Sequence, residues 1–439
     1  MSDKPINRDF YEKTKAFVVS ALKLLISYLQ KGEQVPYIIV EKHKIEAEGV
    51  WTTTHLPQPL YFEFVDRHRK DMESLPEYDD CITAMRTNTT ISKHLDCLVG
   101  TWHSRSHMTE WDYLSDFLTH QLLQLPERVE FNPETFDHIY FDWEQFFYND
   151  SILVKAFSPL DNFNSDVDEI DLGDGLRIRR IATSELEQLL GESRWSPQIP
   201  YFEVAQLKYA MELTYKTMKV VERTLTGVIP SPDVNVNEKF GKLITALRLF
   251  KSGIVGFNII KTLKTLDVPV INEGTSGALT YKKFLGQTYT LTRTEVSEFK
   301  SFWSKFSKID LEQPASLSVA IRRLNYAYER DELEDKLVDF MVAFEALFFK
   351  EGERGEFRHK LSVRVARFLE QEYDQRKQIA KKMSEFYDMR SAVVHGEKVN
   401  FSVEFVNTVE DHLRRSIRLF TERLQTFTHE EIVSHLDLD

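Results

Sequence analysis

The stretch Tyr387-Asp388-Met389-Arg390-Ser391-Ala392-Val393-Val394-His395-Gly396 lies near the end of a C-terminal third whose apolar spacing is helical throughout. It contains an arginine, a histidine five residues later, and then a glycine suited to ending a helix. Arginine grips phosphate through a planar fork of donors, and histidine moves a proton near neutral pH. These are two of the groups that cutting RNA without a metal requires, so the stretch is a candidate catalytic motif.

The pattern around this motif predicts a compact bundle of helices joined by short loops. From residue 311 onward, the predicted helices cover residues 316–329, 331–350, 357–370, 373–395 and 403–426.

The rest of the chain predicts a mixed α/β region. Helices are predicted at residues 9–31, 111–125 and 239–250, and strands at residues 37–40, 60–65, 138–141 and 152–154. A glycine-containing tract at residues 172–181 predicts a tight turn that enters a strand. The expected fold class is therefore α+β and multidomain, with an all-α bundle preceded by a mixed α/β region. The predicted domains are residues 1–130, residues 131–310 with a regulatory or sensor role, and residues 311–439.

Length and composition set further limits. A chain of 439 residues is too long for one ordinary domain, and its 31 phenylalanines and 17 tyrosines supply ample core material. The two cysteines fit a reducing cytoplasm, and no stretch is long and apolar enough to predict a membrane span. A net charge of -13 argues against a protein coated in nucleic acid, but it leaves room for a focused basic groove.

Four ordered blocks of the C-terminal third carry a family resemblance. They are residues 320–330 (AIRRLNYAYER), 337–347 (LVDFMVAFEAL), 360–369 (KLSVRVARFL) and 387–396 (YDMRSAVVHG). Together they resemble the HEPN superfamily, and most closely its ApeA-like branch. The resemblance implies a helical bundle in which two copies pair and build one catalytic cleft.

The resemblance also implies an activity, namely endoribonuclease cleavage that needs no metal and no cofactor. Many proteins of this family act as toxins or anti-phage effectors, whereas some have lost catalysis and only dimerise or bind a ligand. The presence of both Arg390 and His395 favours the active class. The expected partners are RNA, with tRNA among the candidates, a second copy of the chain, and a trigger of phage or other origin that acts through residues 1–310.

The chemistry of RNA gives each motif residue a role. The 2′-hydroxyl attacks the adjacent phosphorus, which requires a proton acceptor, a proton donor and positive charge on the phosphate. His395 suits the first two roles, and Arg390 suits the third. The two residues lie roughly 140° apart on a helix, so either Arg390 curls round on its long stem or the helix ends between them, which Gly396 favours. Two copies across a two-fold axis would supply two histidines and two arginines, so a dimer also suits this chemistry. Ser391 shares the face of His395, and Asp388 lies about two turns before it.

Other side chains near the motif have two interpretations each. Glu345 either forms a structural ion pair with Arg364 or Arg390, or it orients Arg390 for catalysis. Tyr387 either packs in the core or stacks on a base. A cluster of basic residues either lines an RNA groove or forms a solvated helix face: Arg354, Arg358, His359, Lys360, Arg364 and Arg367.

A metal centre is the rival site. Cys81, Cys97, His103 and His107 include zinc-compatible ligands, and the two histidines have helical spacing. The cysteines are far apart and no Cys-x-x-Cys pair is present, so the sequence predicts no metal site.

Overall fold

The computed structural model describes residues 4–47, 50–101, 105–125, 130–193, 201–223, 234–270, 274–277, 282–284 and 286–438. They form a mixed α/β structure whose C-terminal part is helical, as the fold class predicted. Among these residues, no helix combines the length and the apolar character that crossing a membrane requires.

The N-terminal region is mostly helical. Asn7 caps its first helix by accepting a hydrogen bond from the backbone N–H of Phe10. Its elements are α1 (Arg8–Gln30), β1 (Tyr37–Ala47), β2 (Val50–Pro59), α2 (Tyr61–Arg67), α3 (Arg69–Glu73), α4 (Pro76–Thr87), β3 (Cys97–Gly100), β4 (Arg105–Met108), α5 (Glu110–Leu123) and α6 (Pro133–Tyr148).

Two predicted strands of this region are wrong. Residues 60–65 fall mostly in α2, and residues 138–141 lie inside α6. In α6, buried aromatic residues recur at helical spacing, and Asn132 and Pro133 stand at its start as a cap and a first-turn proline. Residues 138–141 taken alone are aromatic and apolar, which imitates a strand.

The middle region is built around an antiparallel sheet of six strands in the order β12-β11-β5-β9-β8-β7. Its elements are β5 (Ser151–Leu160), β6 (Phe163–Ser165), β7 (Glu169–Gly173), β8 (Leu176–Arg180), α7 (Thr183–Ser193), α8 (Tyr201–Val204), β9 (Tyr209–Met218), β10 (Val220–Glu222), α9 (Val236–Phe250), β11 (Ile259–Lys264), β12 (Gly274–Gly277), β13 (Tyr289–Leu291) and α10 (Arg293–Phe306).

The predicted turn at residues 172–181 is confirmed as the β7–β8 hairpin. Gly175 has a φ of +74°, and a Cβ there would lie 2.3 Å from the Thr214 carbonyl oxygen of the neighbouring strand. Only glycine fits such a close approach of two backbones.

The C-terminal region is the predicted helical bundle. Its helices are α11 (Ala315–Ala327), α12 (Leu333–Phe348), α13 (Phe357–Leu369), α14 (Tyr373–Val394), α15 (Val403–Arg423) and α16 (His429–Leu438). The first five agree with the sequence pattern to within a few residues, and the last was not predicted. Thr428 and Glu431 cap α16 reciprocally, because each side chain accepts a hydrogen bond from the backbone N–H of the other.

A buried arginine joins the middle region to the bundle. The Arg248 guanidinium, on α9, donates to the Val255 carbonyl oxygen at 2.8 and 3.1 Å and to Asn325 Oδ1 of α11 at 2.8 Å. Arg414 of α15 in turn donates from Nε to the Arg248 carbonyl oxygen at 3.0 Å. Such a satisfied polar network fixes the orientation of the helices that it connects.

Candidate functional site

The motif histidine stands where α14 ends. The N–H groups of His395, Gly396 and Glu397 donate to the carbonyl oxygens of Ser391, Val393 and Ala392, each at 3.0 Å. Gly396 has a φ of +78°, so it supplies the left-handed residue that this helix ending requires. The sequence prediction of a helix stop at Gly396 is therefore confirmed.

The side chain of His395 is exposed, and its imidazole ring has no partner among the described residues. Among the described residues, no side chain or backbone group forms a hydrogen bond or ion pair with its imidazole ring. Val394 beside it is 55% exposed, which leaves an apolar residue at the surface next to the ring. The Ser391 carbonyl holds the backbone of His395, and no described contact joins the Ser391 hydroxyl to the ring. The imidazole is thus free to meet a substrate or a partner.

Arg390 lies on α14 against α12. Its Nη2 is 3.5 Å from Glu345 Oε2, a loose ion pair between two side chains that are 23% and 26% exposed. Burial raises the pKa of the Glu345 carboxyl, and the nearby Arg390 guanidinium partly offsets that rise. The guanidinium carbon is also 6.0 Å from the centre of the half-buried Tyr387 ring. Of the two predicted partners for Glu345, the structure therefore selects Arg390.

The Arg390 guanidinium uses only part of its hydrogen-bonding capacity. Its Nε atom is buried and has no hydrogen-bond partner among the described residues, and its bond to Glu345 is at the long limit. A guanidinium carries five N–H donors, and leaving a buried donor unpaired costs free energy. The geometry therefore leaves capacity for a further acceptor.

Arg390 and His395 do not meet within one chain. Their helical positions differ by roughly 140°, and Arg390 faces α12 whereas His395 projects from the helix end. Asp388 is within about 20° of the His395 direction, two turns earlier. It forms an ion pair of 2.5 Å with Arg358 Nη2, at the start of α13, and both side chains are more than half exposed. The face that carries His395 thus also carries a surface pair of opposite charges.

Arg364 is buried in the packing of the bundle. Its guanidinium donates to both carboxylate oxygens of Glu353 at 2.8 Å, to those of Asp437 at 2.7 and 3.0 Å, and to the Phe348 carbonyl oxygen at 2.7 Å. All of its donors face these acceptors, so its charge is compensated inside the protein. Arg364 therefore has a structural role, and its donors are not available to bind RNA.

Two more residues of the predicted basic cluster are engaged in the same way. Lys360 forms an ion pair with Glu353 at 3.0 Å, and Arg367 Nη1 donates to the Leu436 carbonyl oxygen at 2.7 Å near the end of α16. Among Arg358, Lys360, Arg364 and Arg367, only Arg358 is exposed, and it pairs with Asp388 of α14. Arg354 and His359, the other two residues of the cluster, are also exposed. The unpredicted helix α16 thus supplies acceptors for two of the basic residues of α13, Arg364 and Arg367.

We expect replacement of Arg364 with methionine to lower the free energy of unfolding of the bundle by about 3 kcal/mol. Glu353 and Asp437 would lose their shared partner, and Glu353 is only 12% exposed. Denaturant unfolding followed by circular dichroism measures the loss. Arg354→Met, at an exposed loop position, is the matched control and should change stability by less than about 0.5 kcal/mol. Equal midpoints for the two variants would contradict the structural role of Arg364.

The same cluster predicts a pH dependence. Hydrogen bonds from Arg364 lower the pKa of Glu353 to about 2 and also lower the pKa of Asp437. A carboxyl whose pKa is lower in the folded state stabilises the fold above its unfolded pKa, and this stabilisation is lost as pH falls toward the folded pKa. The stability difference between the wild type and Arg364→Met should therefore shrink from about pH 6 to about pH 3. A constant difference would mean that the pairing is not ionic.

The rival metal site has no support in the described geometry. Within those residues, no group of three or more histidine, cysteine, aspartate or glutamate side chains is arranged to hold a metal ion. Cys81 is buried on α4, and its burial raises the pKa of the thiol to about 12. His107 is exposed on β4, and His103 lies outside the described residues.

Comparisons with protein-family models, with curated proteins and with solved structures gave no match.

Proposed function

We propose that this protein is a metal-independent endoribonuclease of the HEPN type, with His395 and Arg390 as its catalytic residues. The proposal rests on the availability of both side chains for a ligand near the end of α14. His395 is exposed without a described partner, and Arg390 is held in place with donor capacity unused. A buried donor is normally satisfied within the fold, so the unpaired Nε of Arg390 is the unusual feature, and the exposure of His395 makes its imidazole accessible.

In this proposal, His395 exchanges the proton and Arg390 binds the phosphate. The 2′-hydroxyl loses its proton to one imidazole, and its oxygen attacks the adjacent phosphorus. The 5′-oxygen leaves with a proton from a second imidazole, which yields a 2′,3′-cyclic phosphate and a 5′-hydroxyl. The guanidinium donates hydrogen bonds to the phosphate oxygens as their negative charge develops.

A second copy of the chain supplies the second imidazole and arginine. One chain offers the single histidine of the motif, and its own Arg390 points toward α12. Two copies related by a two-fold axis would bring both residue types to one cleft. The exposed Val394 beside His395 would be covered in that arrangement.

Glu345 acts as a positioning residue, because it contacts Arg390 rather than RNA. Its loose ion pair holds the guanidinium without saturating it. Arg358 is the RNA contact that the geometry favours, since an incoming phosphate can replace the exposed Asp388 as its partner. The Tyr387 ring lies beside the Arg390 guanidinium and helps to hold it in place.

The direct test is incubation of the purified full-length chain with labelled single-stranded RNA and with a tRNA mixture in EDTA. Cleavage of either substrate is the expected result, because none of the proposed steps uses a metal. Cleavage only after addition of Mg²⁺, Mn²⁺ or Zn²⁺ would contradict the proposal.

Binding without catalysis is the second candidate function. It is favoured by the separation of Arg390 from His395 within one chain, which leaves a single copy without a complete site. A dimer detected by light scattering that never cleaves RNA would support it. The role of residues 1–310 as a control region, and of the whole chain as a toxin or antiviral effector, belongs to the first proposal.

A further inference from the structure

A cavity of about 380 Å³ lies where the middle region meets the helical bundle. Residues 252–254 and 286–287 form one side of it. The end of α11, the start of α12 and the first half of α15 form the other. Its volume falls in the range of sites that bind small molecules, and interfaces between structural units are a common place for such sites.

Several charged and polar groups of this cavity already form ion pairs or hydrogen bonds with one another. The Arg414 guanidinium pairs with Glu410 and, at 3.1 Å, with Asp411, and the Tyr328 hydroxyl donates to Glu410 at 2.6 Å. Arg414 is 7% exposed, and its Nε donates to the Arg248 carbonyl oxygen. These groups bind one another, so they have little capacity left for a ligand.

Other polar groups of the lining have no partner in the described part of the chain. Lys336, half-buried on the first turns of α12, has no carboxylate partner in the described part of the chain. The side chains of Ser252, Gln287 and Asn407 also line the cavity and form no hydrogen bond with the described residues. The lining thus contains one half-buried ammonium, together with two carboxamides and one hydroxyl at exposed positions, that have no partner among the described residues.

The lining also has an apolar part, which we call the floor of the cavity. Phe340 and Val406 are buried, and Leu333 and Val403 continue the apolar surface toward the opening. A ligand that fills the cavity would thus place a hydrocarbon body on the floor and a polar head at Lys336.

We propose that this cavity binds a small monocarboxylate with an apolar body. The carboxylate would accept hydrogen bonds from Lys336 and from the neighbouring amide or hydroxyl groups. A single negative charge fits best, because Lys336 is the one lining cation without a described carboxylate partner, whereas Arg414 is already paired with Glu410 and Asp411. The site is independent of the proposed ribonuclease activity.

The test compares 4-phenylbutyrate with 4-phenylbutanol as probes for the full-length chain, by isothermal titration calorimetry. The carboxylate should bind saturably at millimolar concentrations or below, and the alcohol about tenfold more weakly. Lys336→Met should lower the carboxylate affinity about tenfold and leave that of the alcohol unchanged. Lys300→Met, at an exposed position on α10, is the matched control and should change neither affinity.

A second variant keeps the test decisive if Lys336→Met does not fold. Val403 is 53% exposed at the mouth of the cavity, so Val403→Trp can fill the space without disturbing the core. It should abolish binding of both probes. Absence of saturable carboxylate binding to the wild type, equal affinity for the two probes, or full affinity in Val403→Trp would each overturn the proposal.

Discussion

Replacing His395 with alanine is expected to slow RNA cleavage by about 100- to 10,000-fold, the range that general acid–base catalysis contributes. The imidazole is exposed at the end of α14, and no described residue offers a second proton-transfer group in contact with it. The loss should therefore appear in kcat, with little change in KM, because the ring moves a proton rather than holding the RNA.

The control for this prediction is stability. The His395 side chain forms no described hydrogen bond or ion pair, so the variant should unfold within about 0.5 kcal/mol of the wild type. His107→Ala, at an exposed position on β4, is the matched variant and should retain full activity. Undiminished cleavage by His395→Ala would remove the histidine from the mechanism.

Arg390→Ala is the second large effect, with an expected loss of about 100- to 1,000-fold in kcat. The guanidinium has an unpaired Nε and only a loose bond to Glu345, so its capacity for the phosphate is lost with the side chain. Arg390→Lys keeps the charge but not the planar fork, and it should recover only part of the rate. Full activity in the lysine variant would show that charge alone suffices.

The two variants together test the shared cleft. Arg390→Ala retains His395, and His395→Ala retains Arg390, so a mixed dimer carries one of each in different chains. Coexpression should therefore restore part of the activity that each variant lacks alone. This cleft has one of the two imidazoles that the mechanism uses, so its reference is a mixed dimer of the wild type with the doubly substituted chain, which carries the same two residues in one chain. Equal rates in the two mixed dimers, isolated through two different affinity tags, are expected for a shared cleft, and activity in the reference dimer alone would place a complete site within a single chain.

Helix periodicity in the C-terminal third predicted α11 to α15, because each of these helices has an apolar face and a clear stop. The same approach failed at residues 138–141, where Ile139, Tyr140 and Phe141 after His138 resemble a strand if they are viewed alone. The decisive information lay outside that window, in the cap at Asn132 and in the helical recurrence of buried aromatic residues along α6. Short apolar runs are ambiguous for this reason.

The position of the motif could be predicted from sequence, but the state of its neighbours could not. Gly396 predicted the helix ending that exposes His395. The partners of Arg364 depend on Glu353 and on Asp437, which is 73 residues away in the sequence. Tertiary packing therefore determines which basic residues remain free to bind a ligand. The local charge pattern of the sequence does not contain this information.

The most direct test of the central claim uses RNA in which the 2′-hydroxyl at the cleaved position is replaced by hydrogen. In EDTA, the wild-type protein should cut the unmodified strand to a 2′,3′-cyclic phosphate and a 5′-hydroxyl, and it should leave the substituted strand intact. Cleavage of the substituted strand, or products with a 5′-phosphate, would show that water or another nucleophile attacks the phosphorus, and the proposed roles of His395 and Arg390 would be wrong.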